Sequence, residues 1–375
     1  MTVFYVILVI LILIFAIIEH EAGHLFAAKA VGIKASHFSI GFGPEIVGWT
    51  RGETRYAIKW IMAGGSVKIV GMTPEEEIPE EDLPRSYINA PYWKRTIVIL
   101  AGSVANILLA FVIFYALMLG WGLPHQQNLK SSRVQPAGKY YIIDKKRVET
   151  PAFKVGIKDG DQIIAVNGVP VRNWDDITKQ LSDKPGQTVS ITIKRGNEVI
   201  TVRPTLLSVS NGKTKRGVIG IEPYQPIEHF NALTALWGGL KYMGLNVAAI
   251  GKGLASLFTV GNLKVLIGTK QPTINSPQSI YGGARLAVEA AKRGIDVFLA
   301  IMGSIILVIA IFNLLPLPPL DGGHLLVIVV ERFFHKEVNM RKFAMVAWVV
   351  IIILSIVALR LFILDIVSPR RLPAP

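Results

Sequence analysis

The pattern His20-Glu21-x-x-His24 sets two imidazoles four residues apart with a carboxylate beside the first. On a helix, residues i and i+4 share a face, so both rings can converge on one metal ion while Glu21 stays off it. That suits metal-assisted hydrolysis, in which the ion activates a water and a carboxylate that is not a ligand takes the proton. The setting is costly. Val3 to Ile18 holds only apolar and aromatic residues, and a charge at the centre of a bilayer costs about 2.5–3.5 kcal/mol on insertion scales. Polar residues kept at such a depth imply a function.

A hydrolytic zinc takes three protein ligands and leaves a fourth position open, so a third donor must come from elsewhere in the chain. The stretch FNLLPLPPLDGGHLL, Phe312 to Leu326, offers Asp321 and His324. Both suit zinc, and side-chain chemistry alone does not choose between them. Pro316, Pro318 and Pro319 break the helix just ahead of them. Backbone groups freed at membrane depth are tolerated only where protein or a water-filled cavity surrounds them.

These residues need a membrane scaffold. Of 375 residues 51% are hydrophobic, and the mean hydropathy of +0.46 is too high for an ordinary soluble protein. Four segments reach the roughly 20 residues that a span requires: Val3 to Ala28, Thr96 to Trp121, Val297 to Leu317 and Phe343 to Val367. The first lacks a basic n-region and carries EHEAGH where a signal peptide would be cleaved, so it is expected to be retained. Lys34, Arg51, Arg55, Lys59 and Lys68 in the second loop, and Arg332, Lys336, Arg341 and Lys342 after the third span, place those loops in the cytoplasm; Arg370 and Arg371 pull weakly the other way. Both termini are then outside. His20 lies about 17 residues, or roughly 25 Å, down the first span, and the third span brings Asp321 and His324 to the same inner depth.

Between the second and third spans, Arg133 to Leu207 alternates apolar and polar residues around N-G and R-G-N turns, which predicts a small β-rich domain with a short helix over Trp174 to Leu181. Ala232 to Phe258 carries leucines at three- and four-residue steps, which predicts a helix along the membrane surface. In the second loop, Glu45 to Trp49, Arg55 to Met62 and Ser66 to Gly71 read as hairpin strands with turns at Arg51-Gly52 and Gly64-Gly65. A membrane helix hides its peptide bonds and must be unwound before cleavage; Gly65, Ser66 and Val67 are expected to offer an edge to which the extended substrate adds. With no cysteine, disulfides and thiolate chemistry are excluded. The net charge of +14 is spread through loops without an aromatic-laced basic stripe, which argues against nucleic acid.

HEAGH in a first span, NLLPLPPLDGG in a later one and an insert between them resemble the site-2 protease family of intramembrane zinc metalloproteases, in particular its bacterial RseP/RasP-like branch. FSIGFGP (Phe38 to Pro44), AGGSVKIVGM (Ala63 to Met72), AGSVAN (Ala101 to Asn106) and VGIKDGDQIIAVNG (Val155 to Gly168, similar to a PDZ domain) extend the likeness over nearly the whole chain. The resemblance implies a polytopic α-helical membrane protein with four transmembrane helices, a membrane-associated β-hairpin region and an extracytoplasmic PDZ-like β-rich domain. Its boundaries would be 1–32 for the first span, 33–93 for the hairpin region and loop, 94–122 for the second span and 130–207 for the PDZ-like domain. There follow a linker with surface helices at 208–294, a third span at 295–326 and a fourth at 343–367. It implies zinc (Zn2+) held by His20, His24 and Asp321, with Glu21 as general base and Asn313 holding the substrate backbone. It also implies residence in the inner, cytoplasmic membrane with the active site toward the cytoplasm. The partners would be the bilayer and single-pass membrane substrates such as anti-sigma factors or signal-peptide remnants. The rival reading is an inactive scaffold that binds partners through the PDZ-like domain.

Overall fold

The computed structural model describes residues 2–73, 77–124, 129–143, 146–210, 215–257, 259–267, 279–291, 294–335 and 338–367; Lys336, Arg370 and Arg371 lie outside the described residues. Helices follow in the order α1 (Thr2–Val31), α2 (Tyr92–Gly120), α3 (Pro151–Lys154), α4 (Trp174–Ser182) and α5 (Ala232–Leu257). They continue as α6 (Val260–Ile267), α7 (Ile280–Ala291), α8 (Ile295–Asn313), α9 (Asp321–Phe334) and α10 (Met340–Val367). Two long strands, β1 (Ala35–Arg51) and β2 (Thr54–Ile69), precede α2. Among the described residues the chain divides into one unit of residues 2–120 and 230–367 and another of 121–229.

In the first unit, α1, α2, α8 and α10 are each long and apolar enough to cross a membrane. Val9 packs with Phe298 and Met302, and Ala16 with Ile306 and Leu307, so α1 and α8 run the same way. Ala110 and Phe114 of α2 join Ala16, while Val98 meets His24, so α2 runs opposite to them. Lipid tails are as apolar as these side chains, and close packing through small residues holds such helices together. A Cβ on Gly23 would sit 2.6 Å from the Ala101 carbonyl oxygen, and one on Gly303 2.6 Å from the Phe114 ring. The third span ends at Asn313, four residues short of the expected Leu317 and well short of 326. Pro316 cannot continue the helix, and the chain turns through Leu314–Leu320 before α9 starts afresh at Asp321.

α5 and α6 together make a sharply bent pair apolar enough to be a fifth candidate span. Since α2 and α8 are antiparallel, the segment joining them must cross an even number of times, which excludes that pair as a lone crossing. α5, expected along the membrane surface, packs on its neighbours: Tyr242 meets the Phe114 ring edge-on at 5.1 Å, and Ser304 of α8 donates to Asn246 Oδ1 at 2.8 Å.

β1 and β2 are bent into a small sheet. Ala35–Ile40 is flanked on one side by Gly65–Ile69 and on the other by Arg55–Ile58, and Arg55–Ile58 is flanked in turn by Val47–Thr50. The Arg51-Gly52 turn is present, with Gly52 at φ 65°. β2 also turns back ahead of Gly64-Gly65: residues 55–58 run parallel to residues 37–40 and residues 65–69 antiparallel to them, so the expected reversal falls between Ile58 and Gly65. A Cβ on Gly64 would strike the Phe42 ring, and one on Gly65 would sit 3.0 Å from Glu21 Cγ. Beside that reversal these glycines also permit close approach.

In the second unit a sheet orders Glu198–Val202, Ile191–Arg195, Asp161–Val166, Arg133–Pro136 and Ile221–Pro223 side by side. Asn167 (φ 51°) and Gly168 (φ 78°) form the two-residue turn that N-G predicted. Asn173 caps α4, its side chain accepting from the Asp176 amide at 2.8 Å. Ile163, Val166, Ile177, Ile191 and Ile193 fill the core, each worth about 1.5–3 kcal/mol on burial. Ile219 lies in the same core and the unit runs on to His229, so it exceeds the expected end at Leu207.

Candidate active site

α1 presents His20 and His24 on one face, both buried. Their Nε2 atoms are 3.3 Å apart, and Asp321 Oδ2, at the start of α9, is 3.3 Å from each. The three atoms form a near-equilateral triangle. Gly322 and Gly323 bring Asp321 there, because a Cβ on either would collide with main chain of the preceding Leu314–Pro318 loop.

α2 holds the imidazoles. His24 Nδ1 donates to the Val98 carbonyl at 2.7 Å. Asn106 is best oriented with its amide nitrogen donating to Glu19 Oε2 and to the Ala16 carbonyl, each at 2.9 Å. Its oxygen is then the amide atom 3.3 Å from His20 Nδ1 and accepts from it. With both Nδ1–H groups engaged, each neutral ring turns a bare Nε2 lone pair inward. Asp321 Oδ2 is buried without a hydrogen-bond partner among the described residues. Three electron-pair donors facing one another at 3.3 Å repel unless a cation lies between them. Tetrahedral zinc with bonds of about 2.0–2.1 Å separates its ligand atoms by about 3.3–3.4 Å, so the donor set fits that ion.

Gly102 allows the rings to approach α2: a Cβ there would collide with His24 Nε2 and lie 2.8 Å from His20 Cε1. Arg95 of α2 donates to Glu331 of α9 at 2.9 Å, tying the helix that bears Asp321 to the one that orients the histidines. Glu21 lies next to the triangle, its carboxylate accepting from the Val67 main-chain amide. Asn313 Nδ2 is 3.3 Å from His20 Nε2. Glu21, Asn313, Gly64 and Gly65 line one cleft of about 290 Å³ with His20 and Asp321. Gly65, Ser66 and Val67 pair with Ile40, Ser39 and Phe38 on one side, and no described strand lies on the other.

The structure thus gathers His20, Glu21, His24, Asn313, Gly65 and Asp321 around one cleft, with Ser66 and Val67 continuing the strand. His324 is not among the converging donors; its ring packs on Phe343 at 5.1 Å. Sequence reasoning assigned no role to Gly102, Asn106 or Glu19. The available signal was AGSVAN, a polar motif inside an apolar span, where an intramembrane amide is functional by default.

The profile of Peptidase family M50 matches residues 6–357. Among curated relatives, Zinc metalloprotease Rip1 of Mycobacterium tuberculosis is 29% identical over 98% of both chains. Zinc metalloprotease Rip1 of Mycolicibacterium smegmatis is 30% identical over 87% of this chain and 86% of its own. Family profile, relatives and membrane-helix count agree with the metal-shaped triangle, and the chain belongs to peptidase family M50, the site-2 proteases.

Proposed function

We propose that this zinc metallopeptidase cleaves a peptide bond within or beside the membrane span of a single-pass protein, with His20 Nε2, His24 Nε2 and Asp321 Oδ2 as the zinc ligands. The observation that carries the reading is the 3.3 Å donor triangle whose histidines spend both Nδ1–H groups elsewhere. When bound there, zinc supplies Lewis acidity that makes water nucleophilic at neutral pH and polarises the scissile carbonyl. Glu21 takes the proton of the attacking water and delivers it to the leaving amine. The Asn313 amide donates to the oxygen on which charge develops. Gly65, Ser66 and Val67 add the unwound substrate as a further strand; their place at the sheet margin beside Glu21 supports that role.

The positive loops support an inner-membrane protein whose active site opens toward the cytoplasm. The β-rich unit of residues 121–229 is read as an extracytoplasmic PDZ-like domain that keeps bulky outer domains off the cleft, and β1 with β2 as a membrane-associated hairpin. Anti-sigma factors and signal-peptide remnants are the substrate classes in view. The test is reconstitution with a model single-span substrate: the wild type cleaves it and Glu21→Gln does not, with zinc retained in both. Equal cleavage by the two would count against the proposed role of Glu21 in catalysis, and none by either with zinc bound would favour the inactive scaffold.

A further inference from the structure

Beside the metal cleft lies a second cavity of about 350 Å³, walled by Ile69, Met72, His324, Phe343, Ala344 and Ala347 among others. It belongs to the same trough. Pro319 lines both cavities, Gly64 and Gly65 of β2 face the first, and Ser66 to Ile69 face the second. On α9, Asp321 borders the first and His324 the second, one helical turn or about 4.5 Å further on.

The sequence of α10 keeps this space open. Met345, Val346 and Trp348 point outward, 61%, 51% and 66% exposed, while the small residues Ala344 and Ala347 face the cavity, so its wall is low where a bulkier side chain would fill it. The lining is mostly apolar, with Ser66, Lys68, Thr73 and His324 as its polar members. A peptide extended along Gly65–Ile69 advances about 3.3 Å per residue with side chains alternating between faces. Two to four residues from the bond beside Glu21, a side chain on the inner face arrives over this cavity.

Resting on the proposed strand-adding mode of binding, we infer that this cavity is a specificity pocket for a large apolar side chain of the substrate, of the leucine, methionine or phenylalanine class, two to four residues from the cleaved bond, with Ala344, Ala347 and His324 setting its size. His324, next to the metal site but not part of it, thereby has a role. Selection by this pocket would make cleavage depend on one anchor residue as well as on an unwound span.

The full-length protein in lipid nanodiscs is given a single-span substrate whose cleavage site is mapped by mass spectrometry. Each residue within five of that site is compared as Leu and as Ala. The wild type is expected to show one position, two to four residues from the bond, where Leu exceeds Ala in kcat/KM by about tenfold or more. Ala347→Phe is expected to bring that ratio to one or below, with the ratios elsewhere unchanged. A ratio that stays the same in Ala347→Phe overturns the pocket while leaving the protease reading intact; no cleavage by the zinc-loaded wild type, or equal cleavage by Glu21→Gln, overturns both. Because the chain has no cysteine, a second measurement does not depend on turnover. With an added mild thiol oxidant, Ala347→Cys in a Glu21→Gln background should form a disulfide with a substrate cysteine at the anchor position and not at its neighbours. Trapping spread evenly over positions, or none, contradicts the assignment.

Discussion

Two aspartates with a buried carboxylate oxygen show how differently this chain uses the same side chain. Asp161, in the β-rich unit, has both oxygens engaged: Arg195 Nε donates to Oδ1 at 2.8 Å, and Arg195 Nη2 and the Lys158 amide donate to Oδ2 at 2.7 and 2.8 Å. Asp321, in the helical unit, turns a buried Oδ2 toward two imidazole lone pairs with no hydrogen donor among the described residues. The first carboxylate is complete as folded and serves stability. On the proposed zinc reading the second is complete only when a cation joins it, because an unpaired buried acceptor is costly and folds do not keep one without a reason. How fully a buried group is satisfied, more than the fact of burial, separates structure from chemistry here.

The largest break in that contrast is expected from Gly102→Val. The new side chain occupies the place of the His24 ring, so bound zinc should be lost from the folded protein and cleavage should fall by at least about 100-fold. Asn106→Leu removes the acceptor for His20 Nδ1–H and leaves Glu19 without its donor. Zinc affinity measured by competition with a chelator should drop about 10–100-fold, the usual cost of losing a ligand's supporting hydrogen bond.

On the other side of the comparison, Asp161→Ala should destabilise the β-rich unit by roughly 1–3 kcal/mol while zinc content stays the same. Burial pushes the Asp161 carboxyl up, yet the Arg195 guanidinium and the Lys158 amide outweigh it and hold the group below the usual carboxylate range. A depressed carboxyl stabilises above its unfolded pKa of about 3.9 and loses that contribution as pH falls through the folded value. The wild-type unit should therefore weaken below about pH 4, and Asp161→Ala should flatten that part of the curve followed by circular dichroism. The smallest effect belongs to an exposed pair: Arg85 grips Glu53 at 2.6 and 2.8 Å, and Glu53→Gln should change stability by about 0–1 kcal/mol with zinc and cleavage unaltered.

His20, Glu21 and His24 were legible because their chemistry depends on spacing within one helix. The four spans were legible because a bilayer demands length and apolarity from each segment independently. Asp321 and His324 could not be separated by composition; the difference arises from the tight loop that Gly322 and Gly323 allow, which turns the aspartate toward α1 and the histidine toward Phe343. Asn106 and Gly102 act across a helix pair, and no pattern within α2 states which face meets α1. The chain reversal beside Gly64-Gly65 was legible, but not the close contacts these glycines make, which only the positions of Phe42 and Glu21 reveal. The β-rich unit was extended past Leu207 for a similar reason: Ile219 joins its core only once the sheet has closed.

The central claim, that α1 and α9 meet to hold one zinc, is most directly tested by metal analysis with X-ray absorption on the purified, folded protein. The account predicts one zinc per chain with two imidazole nitrogens and a carboxylate oxygen in its shell, and loss of that zinc from folded Asp321→Ala. A folded wild-type protein that binds no zinc, or a zinc shell that Asp321→Ala leaves unchanged, would contradict it.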